Sequence, residues 1–209
     1  MSISLDQVSK YFSSLTGLQR EQFARLEPIY RSWNARINLV SRRDIDNLME
    51  RHVLHSLAIA KAFDFTAGTA ILDAGTGGGF PGIPLAVFFP EVHFLLVDSI
   101  GKKILAAGTI ARELGLQNVT VEKARVEKMS QRFDFVVARA VSDLPVFYRW
   151  THRLLRKKNR NPFPNGIIYL KGGDVTEELD SLPGEKEIIP LSRYFEEEYF
   201  LTKILVYLH

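Results

Sequence analysis

The chain has 209 residues, a formal net charge of +3 and no cysteine, which suits one soluble domain with a small appendage. The lack of cysteine excludes disulfides, thiolate zinc sites and a cysteine nucleophile, and the five histidines show no metal-ligand spacing, so we expect no metal. No apolar run approaches the ~18 residues that span a bilayer, and no secretory signal is visible, which favours a cytoplasmic location without membrane contact.

Residues 1–62 show apolar side chains at helical spacing and almost no strand pattern. We therefore predict an N-terminal helical extension over 1–62, followed by one compact domain over 63–209. Three apolar stripes mark the helices of the extension: Leu5, Val8, Phe12 and Leu15; Phe23, Leu26, Tyr30, Trp33 and Ile37; Leu48, Val53, Leu57 and Ala60.

The range 69–84 carries the most informative pattern of the chain. A short apolar run that ends at Leu72 predicts a buried strand, Asp73 follows it, and a helical pattern runs from Pro81 to about Phe89. Between them lies a loop with glycines at positions 75, 77, 78, 79 and 82. Such a loop lets the backbone approach a ligand closely. A strand-to-helix turn of this kind is where nucleoside ligands dock in open α/β sheets.

Two nucleoside ligands, or no ligand, are compatible with this turn. Residues 77–82 match G-x-G-x-x-G, which would hold a dinucleotide pyrophosphate on helix-terminal amides. Residues 73–79 match D-x-G-x-G-x-G, the loop of S-adenosylmethionine-dependent methyltransferases, in which the acidic side chain orients the ammonium end of the cofactor. Asp73 fits only the second interpretation well, and Pro81 removes an amide from a phosphate site.

A second acidic residue supports nucleoside binding without choosing the ligand. Asp98 ends the apolar strand 92–97, nineteen residues after Gly79. At about that distance beyond a glycine loop, an acidic side chain accepts hydrogen bonds from the hydroxyls of an adenosine ribose. Asp98 could instead cap the helix that follows, because aspartate is a favoured N-cap residue.

From about residue 67 short apolar strands alternate with amphipathic segments, which predicts a parallel sheet with helices on both faces. The last two apolar stretches, 186–191 and 199–208, have no helix between them and predict an antiparallel pair that places a reversed strand at the end of the sheet. We therefore expect a Rossmann-like, seven-stranded class I methyltransferase sheet with an antiparallel C-terminal strand. The earlier strands are predicted at 70–72, 94–97, 119–121, 133–137 and 167–170, and the amphipathic segments near 82–89, 101–114, 125–129, 143–157 and 174–181.

The positive charges cluster although the net charge is small. The densest cluster runs from Arg153 to Arg160, and its pattern suits a solvated helix end as well as a phosphate-binding surface. The composition leaves this choice open.

The motifs of the chain resemble those of the GidB/RsmG family, the bacterial 16S ribosomal RNA guanine-N7 methyltransferases. The resemblance covers about Tyr30 to Gly172, and its most specific stretch is Gly75 to Pro84, with Phe-Pro-Gly-x-Pro after the glycines. One departure is His55, where the family commonly has aspartate. The other matching segments are Trp33–Ser41, Arg51–Ser56, Asp98–Ser99 with Lys102, Arg125–Glu127, Ala138–Ala140 and Leu170–Gly172.

The resemblance implies S-adenosyl-L-methionine as cofactor and 16S ribosomal RNA as partner, free or within an assembling small subunit, and we expect the protein to act as a monomer. Arg139 would position a phosphate or the guanine O6 and help to order the cofactor pocket, although a structural ion pair is the alternative. The cofactor-binding residues would be Asp73, Gly75, Gly77, Phe80, Asp98, Ser99, Val126, Glu127 and Arg139. The RNA-binding residues would be Arg36, Arg42, Arg43, Lys102, Arg125 and Lys171.

The implied reaction needs no general base, because guanine N7 carries an unprotonated lone pair. Catalysis would come from in-line alignment in a dry, polarised pocket. An unpaired base would stack on an aromatic group. The candidates are Phe80, Phe147, Tyr148 and Trp150, although core or helix packing is the favoured role of each one taken singly. The alternatives are a methyltransferase with another substrate and a non-catalytic RNA-binding or assembly protein.

Overall fold

A computed structural model describes residues 3–41 and 43–209, apart from the side chains of Ile3 and Ser4. The strands are β1 (Ala70–Ala74), β2 (His93–Asp98), β3 (Val119–Lys123), β4 (Phe135–Arg139), β5 (Gly166–Gly172), β6 (Lys186–Pro190) and β7 (Lys203–Leu208). The helices are α1 (Ile3–Tyr11), α2 (Gly17–Asn34), α3 (His55–Ala62), α4 (Gly82–Phe88), α5 (Gly101–Glu113), α6 (Leu144–Thr151) and α7 (Thr176–Asp180). A π-helical segment, Met49–Leu54, runs directly into α3.

The strands form one seven-stranded sheet in the order β3-β2-β1-β4-β5-β7-β6. β1 to β5 are parallel, and β7 is antiparallel to both of its neighbours, β5 and β6. The predicted class I sheet with an antiparallel C-terminal strand is therefore confirmed. The expectation that the reversed strand ends the sheet is wrong, because β6 forms the edge. The strand β7 carries mainly buried side chains and therefore lies inside the sheet, whereas most of β6 is exposed, which suits an edge strand.

Alternate side chains of the strands enter two separate cores, as the period of two requires. Ile71 and Phe135 belong to the core that α1 to α5 cover. Leu72 and Val136 belong to the opposite core, which α6, α7 and the 3₁₀ turn Val126–Lys128 cover. Helices α1, α2 and α3 contribute to the first core together with the sheet. The hydrophobic core thus runs across the predicted boundary between residues 62 and 63, and the division into two units stays a prediction.

The start of α2 is fixed by its own cap and by a contact with α4. Thr16 accepts a hydrogen bond from the Gln19 amide at 3.2 Å, and the Gln19 side chain accepts one from the Thr16 amide at 2.9 Å. This capping box satisfies two otherwise free amides of the helix N-terminus. The Gln19 side-chain amide also donates to the carbonyl oxygens of Val87 and Phe88 at the end of α4. The extension is therefore joined to the rest of the chain by directed bonds as well as apolar packing.

Two predicted elements differ in length from those observed. The strand predicted at 133–137 begins only at Phe135, because Phe133 pairs in an isolated bridge with Leu155 instead of with β1. The strand predicted at 199–208 begins at Lys203, because a 3₁₀ turn with Phe200 fully buried precedes it.

The helix predicted at 143–157 ends at Thr151 and is followed by a single 3₁₀ turn, His152–Leu154. The basic residues from Arg156 to Arg160 consequently lie in a loop and not on a helix end. This loop precedes β5 and lies at the edge of the sheet where the parallel strands begin.

Among the described residues, none of the helices combines the length and the apolar character that crossing a bilayer requires.

Candidate active site

The carboxyl ends of β1 to β4 surround a depression of about 350 Å³, which we call the first depression. This is the edge at which open α/β sheets bind ligands. Four successive strand-end segments and two helical side chains contribute its walls: Gly75 and Gly77; Val97, Asp98 and Ser99; Ala124, Arg125, Val126 and Glu127; Ala140 and Val141; and the side chains of Lys103 in α5 and Trp150 in α6.

The glycine loop needs glycine at two positions of this wall. Gly75 has a φ of +74°, and a Cβ there would lie 2.7 Å from a methyl carbon of Val141. Gly77 has a φ of +57°, but a Cβ there would meet open space. Gly75 therefore lets two loops approach each other. Gly77 instead turns its amide toward Asp98, to which it donates a hydrogen bond at 2.9 Å.

Asp98 joins the loops that follow β1 and β2. One carboxylate oxygen accepts from the Gly77 amide and the other from the Ile100 amide at 2.8 Å. Helix α5 begins at Gly101 with Ile100 at its N-cap position, so Asp98 does not act as the helix cap. A carboxylate has about four acceptor positions. Two are used here, and Asp98, which faces the first depression, retains acceptors for ligand hydroxyls.

Asp73 lies beneath the glycine loop and is fully buried. One of its oxygens accepts from the Thr76 hydroxyl at 2.5 Å and from the Gly82 amide at 2.8 Å, while the other has no partner among the described residues. Burial raises the pKa of Asp73 to about 7, although these two hydrogen bonds oppose the shift. The structure thus gives Asp73 a direct role in holding the loop and no exposed surface toward the depression.

The 3₁₀ turn after β3 forms the far wall of the first depression. Val126 and Glu127 lie at its start, and Trp150 of α6 stands beside them. Arg153 anchors the turn by donating to the Glu127 carbonyl oxygen at 2.7 Å. Val126 and the Trp150 ring offer apolar surface, and Glu127 offers acceptors, which suits a purine base with its amino group.

A second depression of about 580 Å³ adjoins the first, and Ala140 and Val141 line both. Ala140 adopts a φ of +53°, a left-handed conformation that residues other than glycine seldom occupy. Strain of this kind concentrates at functional sites. The second depression is rich in hydrogen-bond donors, and its remaining lining residues are Asp44, Arg51, His52, His55, Arg139, Ser142, Asp143, Tyr169, Leu170, Lys171, Gly172, Tyr199 and Lys203.

Arg139 ends β4 and is held from three sides. Its guanidinium donates to the Arg51 carbonyl oxygen at 2.9 Å and to Nδ1 of His52 at 2.7 Å, and it lies 5.2 Å from the centre of the Phe80 ring. Burial lowers its pKa, but no carboxylate forms an ion pair with it among the described residues. The alternative, that Arg139 forms a structural ion pair, is therefore not supported among the described residues. Two of its five N–H groups are used in these bonds, which leaves donors for a ligand.

The two histidines of the second depression are neutral. Arg139 can only donate, so Nδ1 of His52 must accept and its proton resides on Nε2. Burial and the neighbouring charge of Arg139 lower the pKa of His52 to about 3. His55 lies 3.1 Å from the Tyr199 hydroxyl through its own Nδ1, and burial lowers its pKa well below the usual value. Neither ring carries a charge near neutral pH.

Helix α2 supports the site from behind. The fully buried Tyr30 donates to the Gly78 carbonyl oxygen at 2.8 Å and stacks on Phe80 with ring centres 4.7 Å apart. Asn34 accepts hydrogen bonds from the amides of Leu39 and Val40, which holds Leu39 against Gly78. The extension therefore shapes the glycine loop.

The structure brings most of the predicted cofactor residues together, but not all. The first depression collects Gly75, Gly77, Asp98, Ser99, Val126 and Glu127. Asp73 and Phe80 lie behind the loop, where Phe80 is 4% exposed. Arg139 faces the second depression.

The predicted RNA-binding residues are more scattered. Arg36, Arg43 and Lys102 are exposed outside both depressions, while Arg125 lies in the first depression, 3.7 Å from Glu127. Lys171 lines the second depression and pairs with Glu178. Arg42 lies outside the described residues.

Sequence reasoning missed several lining residues, because their positions depend on tertiary packing. Lys103 faces the first depression although its neighbour Lys102 was predicted. His52 and Tyr199 face the second depression, and only the motif 51–56 could have indicated His52. Among the candidate stacking platforms, Phe147 is fully buried, whereas Trp150 reaches the first depression.

The residues that line the first depression suit the binding of S-adenosylmethionine. Asp98 offers free acceptor positions for ribose hydroxyls, and Val126 with Trp150 offers apolar walls for adenine. Gly77 leaves open space where a side chain would stand. The unpartnered oxygen of Asp73 is a buried acceptor next to the same loop.

Comparison with known proteins places the chain among RNA-modifying enzymes. Residues 19–190 match the family described as GidB, rRNA small subunit methyltransferase G. The ribosomal RNA small subunit methyltransferase G of Flavobacterium psychrophilum is 50% identical over 203 residues, which cover 97% of each chain. That of Christiangramia forsetii is 51% identical over 206 residues, 99% of this chain and 97% of the relative.

A solved structure agrees at the level of the fold. The methyltransferase from Aquifex aeolicus described as SAM-dependent superposes with a TM-score of 0.55 at 19% identity, covering 81% of this chain and 98% of that chain. The family resemblance of the motifs is confirmed. The chain belongs to the rRNA small subunit methyltransferase G (GidB) family.

Proposed function

We propose that this protein transfers the methyl group of S-adenosyl-L-methionine to N7 of a guanine in 16S ribosomal RNA, without a general base. Family membership makes it an S-adenosylmethionine-dependent methyltransferase of small-subunit ribosomal RNA. The target atom, the mechanism and the residue roles are the parts that we propose. That the protein acts as a monomer and in the cytoplasm stays a prediction.

The observation that carries the proposal is the shared wall of the two depressions. The first has the features of an adenosine site, and the second meets it at Ala140 and Val141. A base in the second depression would therefore lie next to the reacting end of a cofactor in the first. Guanine presents two neighbouring acceptors, O6 and N7, on one edge. Arg139 can donate to O6 and so fix the ring while N7 remains free.

The second depression contains groups that suit binding better than proton abstraction. Nδ1 of His52 already accepts from Arg139, and its pKa lies far below neutrality. Burial raises the pKa of Tyr199, so its hydroxyl stays protonated. Asp44 accepts from Ser41 and Arg51, and these bonds lower its pKa, which makes it a weak base. An acceptor atom with its own lone pair needs none of them.

The residues then have separate tasks. When bound, S-adenosyl-L-methionine would supply an electrophilic methyl group: the N7–carbon bond would form as the sulfur–carbon bond breaks, and the positive charge would pass to the guanine. Asp98, Val126 and Glu127 would hold the adenosine end, and the glycine loop would position the other end. Arg139 would orient the guanine and limit its motion, which is the main source of rate enhancement in a direct displacement.

Transfer of a labelled methyl group to 16S ribosomal RNA that lacks its modifications tests the proposal. The label should appear on a single guanine, and chemical cleavage specific for N7-methylguanine should release it there. Label on another atom or another base type would disprove the N7 assignment. Cofactor binding without labelling of protein-free RNA or of small-subunit particles would disprove the assigned substrate.

A further inference from the structure

A second concentration of positive charge lies on the opposite edge of the sheet from the active site. An open depression of about 600 Å³ is lined there by Arg132, Asp134, Arg156, Lys157, Lys158, Asn159 and Arg160. Arg132 and Asp134 precede β4, and the remaining residues precede β5, so the depression lies where these parallel strands begin. β4 has five residues, which at about 3.3 Å each separates the two edges by about 17 Å.

The charge of this depression is strongly unbalanced. Five cationic side chains face one carboxylate, that of Asp134, which is 1% exposed. Asp134 pairs with Arg156 at 3.0 Å and also accepts from the Ala70 amide, so it is occupied by the fold itself. Lys157, Lys158 and Arg160 are exposed, and none of them forms an ion pair within the described part of the chain.

The loop that carries these cations is held in place by two buried asparagines. The Asn165 side-chain amide donates to the carbonyl oxygens of Arg156 and Lys158, both at 3.0 Å. The Asn161 side chain accepts from the Thr66 amide at 2.8 Å, which ties the loop to the segment before β1. A backbone fixed in this way loses less conformational entropy when its side chains bind a ligand. The arrangement is therefore that of a prepared anion-binding surface.

We propose that Lys157, Lys158 and Arg160 form a second contact for the phosphate backbone of ribosomal RNA, remote from the methylated base. This inference rests on the proposed RNA substrate and adds a surface to it. Unpaired cations in a polar, open depression suit a polyanion, because each neutralised phosphate releases counterions. A bilayer surface suits it less, since the loop has no exposed large apolar side chain and Phe163 packs against Phe63 and Phe135.

The geometry limits which RNA can use this surface. An RNA strand that presents a guanine at the carboxyl edge must reach about 17 Å or more across the sheet to touch the loop at the other edge. A trinucleotide around the target guanine is too short to reach both edges, because a stacked strand advances about 3.4 Å per nucleotide, whereas folded 16S ribosomal RNA can span them. The loop should therefore contribute to the binding of long RNA and not of short fragments.

The experiment compares two triple charge reversals by measuring RNA binding against salt concentration. The test variant is Lys157→Glu, Lys158→Glu and Arg160→Glu. The matched control is Arg25→Glu, Arg112→Glu and Arg193→Glu, three exposed cations away from this depression with the same change in net charge. Thermal unfolding and S-adenosylhomocysteine binding verify that both variants are folded with an intact cofactor site.

For protein-free 16S ribosomal RNA, the test variant should bind about tenfold or more weakly, and its slope of log affinity against log salt should be smaller by about 2. The control variant should lose clearly less affinity for the same RNA. For a trinucleotide that contains the target guanine, the loss of affinity of the test variant should not exceed that of the control variant. Two results would show general charge attraction and overturn the inference. One is an equal loss of 16S ribosomal RNA affinity in the test and control variants. The other is a loss of trinucleotide affinity in the test variant as large as its loss of 16S ribosomal RNA affinity.

Two further outcomes would also overturn it. A loss seen with small-subunit particles but not with protein-free RNA would assign the loop to a ribosomal protein. A loss of binding to anionic phospholipid vesicles with unchanged RNA binding would assign it to a membrane surface. Methyl transfer is measured separately on the wild type, so a failure of the proposed reaction is distinguishable from a failure of this binding surface.

Discussion

At the scale of single residues, the site depends on charges and polar groups that are kept in unusual states. Asp73 is a fully buried carboxylate with one unpartnered oxygen, and His52 is a neutral ring that accepts from a guanidinium. Arg139 carries a positive charge without a paired acid among the described residues. Each state has a physical consequence that can be measured on the isolated protein.

Asp73 should make stability depend on pH. Its pKa is about 7 in the folded protein and about 3.9 in the unfolded chain. Between these values the folded state retains a proton that the unfolded state has released. Stability should therefore fall as pH rises from about 4 to about 7 and then level off, by an amount on the order of 4 kcal/mol.

Asp73→Asn should remove this slope, because the amide oxygen can still accept from Thr76 and Gly82 and carries no charge. Urea denaturation of both proteins between pH 5 and pH 8 measures the difference. His52 and His55 bind protons less readily in the folded state and oppose the trend, but they contribute equally to both proteins. The free energy of unfolding of Asp73→Asn relative to the wild type should therefore rise with pH. A difference that does not change with pH would contradict the raised pKa of Asp73.

Arg139 should matter for turnover more than for cofactor affinity, because it faces the second depression and not the first. Arg139→Ala should lower kcat by about 10²-fold or more, as removal of a preorganised donor does. The dissociation constant of S-adenosylhomocysteine should change less than about threefold. Arg139→Lys retains the charge but not the planar pair of bonds to Arg51 and His52, so it should recover only part of the rate.

Arg112→Ala, an exposed arginine on α5, is the matched control and should keep the wild-type rate. Thermal unfolding excludes a loss of fold in either Arg139 variant. A folded Arg139→Ala protein with a wild-type rate would remove this residue from the site.

At the scale of elements, local patterns predicted which segments meet but not which side chains meet. The glycine spacing of 73–79 and the acid at Asp98 predicted segments that the structure brings to one depression, because strand-to-helix turns of parallel strands share one edge. Lys103 and not Lys102 faces that depression, since this depends on the rotation of α5. Tyr30 reaches the glycine loop from a helix some fifty residues earlier, and no local pattern indicates such a contact.

The position of helix α6 leads to a further prediction, because this helix brings Trp150 to the wall of the first depression. The chain has two tryptophans, Trp33 and Trp150. In a Trp33→Phe protein the fluorescence comes from Trp150 alone and should change on S-adenosylhomocysteine binding. In a Trp150→Phe protein, the signal of Trp33 should not respond. Trp150→Ala should weaken binding by about 1–3 kcal/mol, the typical value for base stacking on an aromatic ring.

The opposite pattern, a response from Trp33 only, would place the adenine elsewhere. An unchanged affinity in a folded Trp150→Ala protein would show that the ring borders the depression without contacting the ligand.

At the scale of the whole molecule, the two proposals assign different tasks to the two edges of the sheet. The carboxyl edge holds the first and second depressions, and the amino edge holds the fixed cationic loop. The net charge of +3 conceals this arrangement. The sequence indicated the basic cluster but left its role open, because only the fold shows that its loop and the site lie on opposite edges.

The helical extension is the last test at this scale. If residues 1–62 were a separate unit, removing them should leave 63–209 folded. The structure predicts otherwise, because α1, α2 and α3 share one hydrophobic core with the sheet, including the fully buried Phe23, Leu26 and Leu57. Truncation would expose that face and remove the Tyr30 support of the glycine loop. The fragment 63–209 should therefore lose cooperative thermal unfolding and all S-adenosylhomocysteine binding, as calorimetry would measure. A fragment that unfolds cooperatively and still binds would show that the boundary between 62 and 63 divides two independent units.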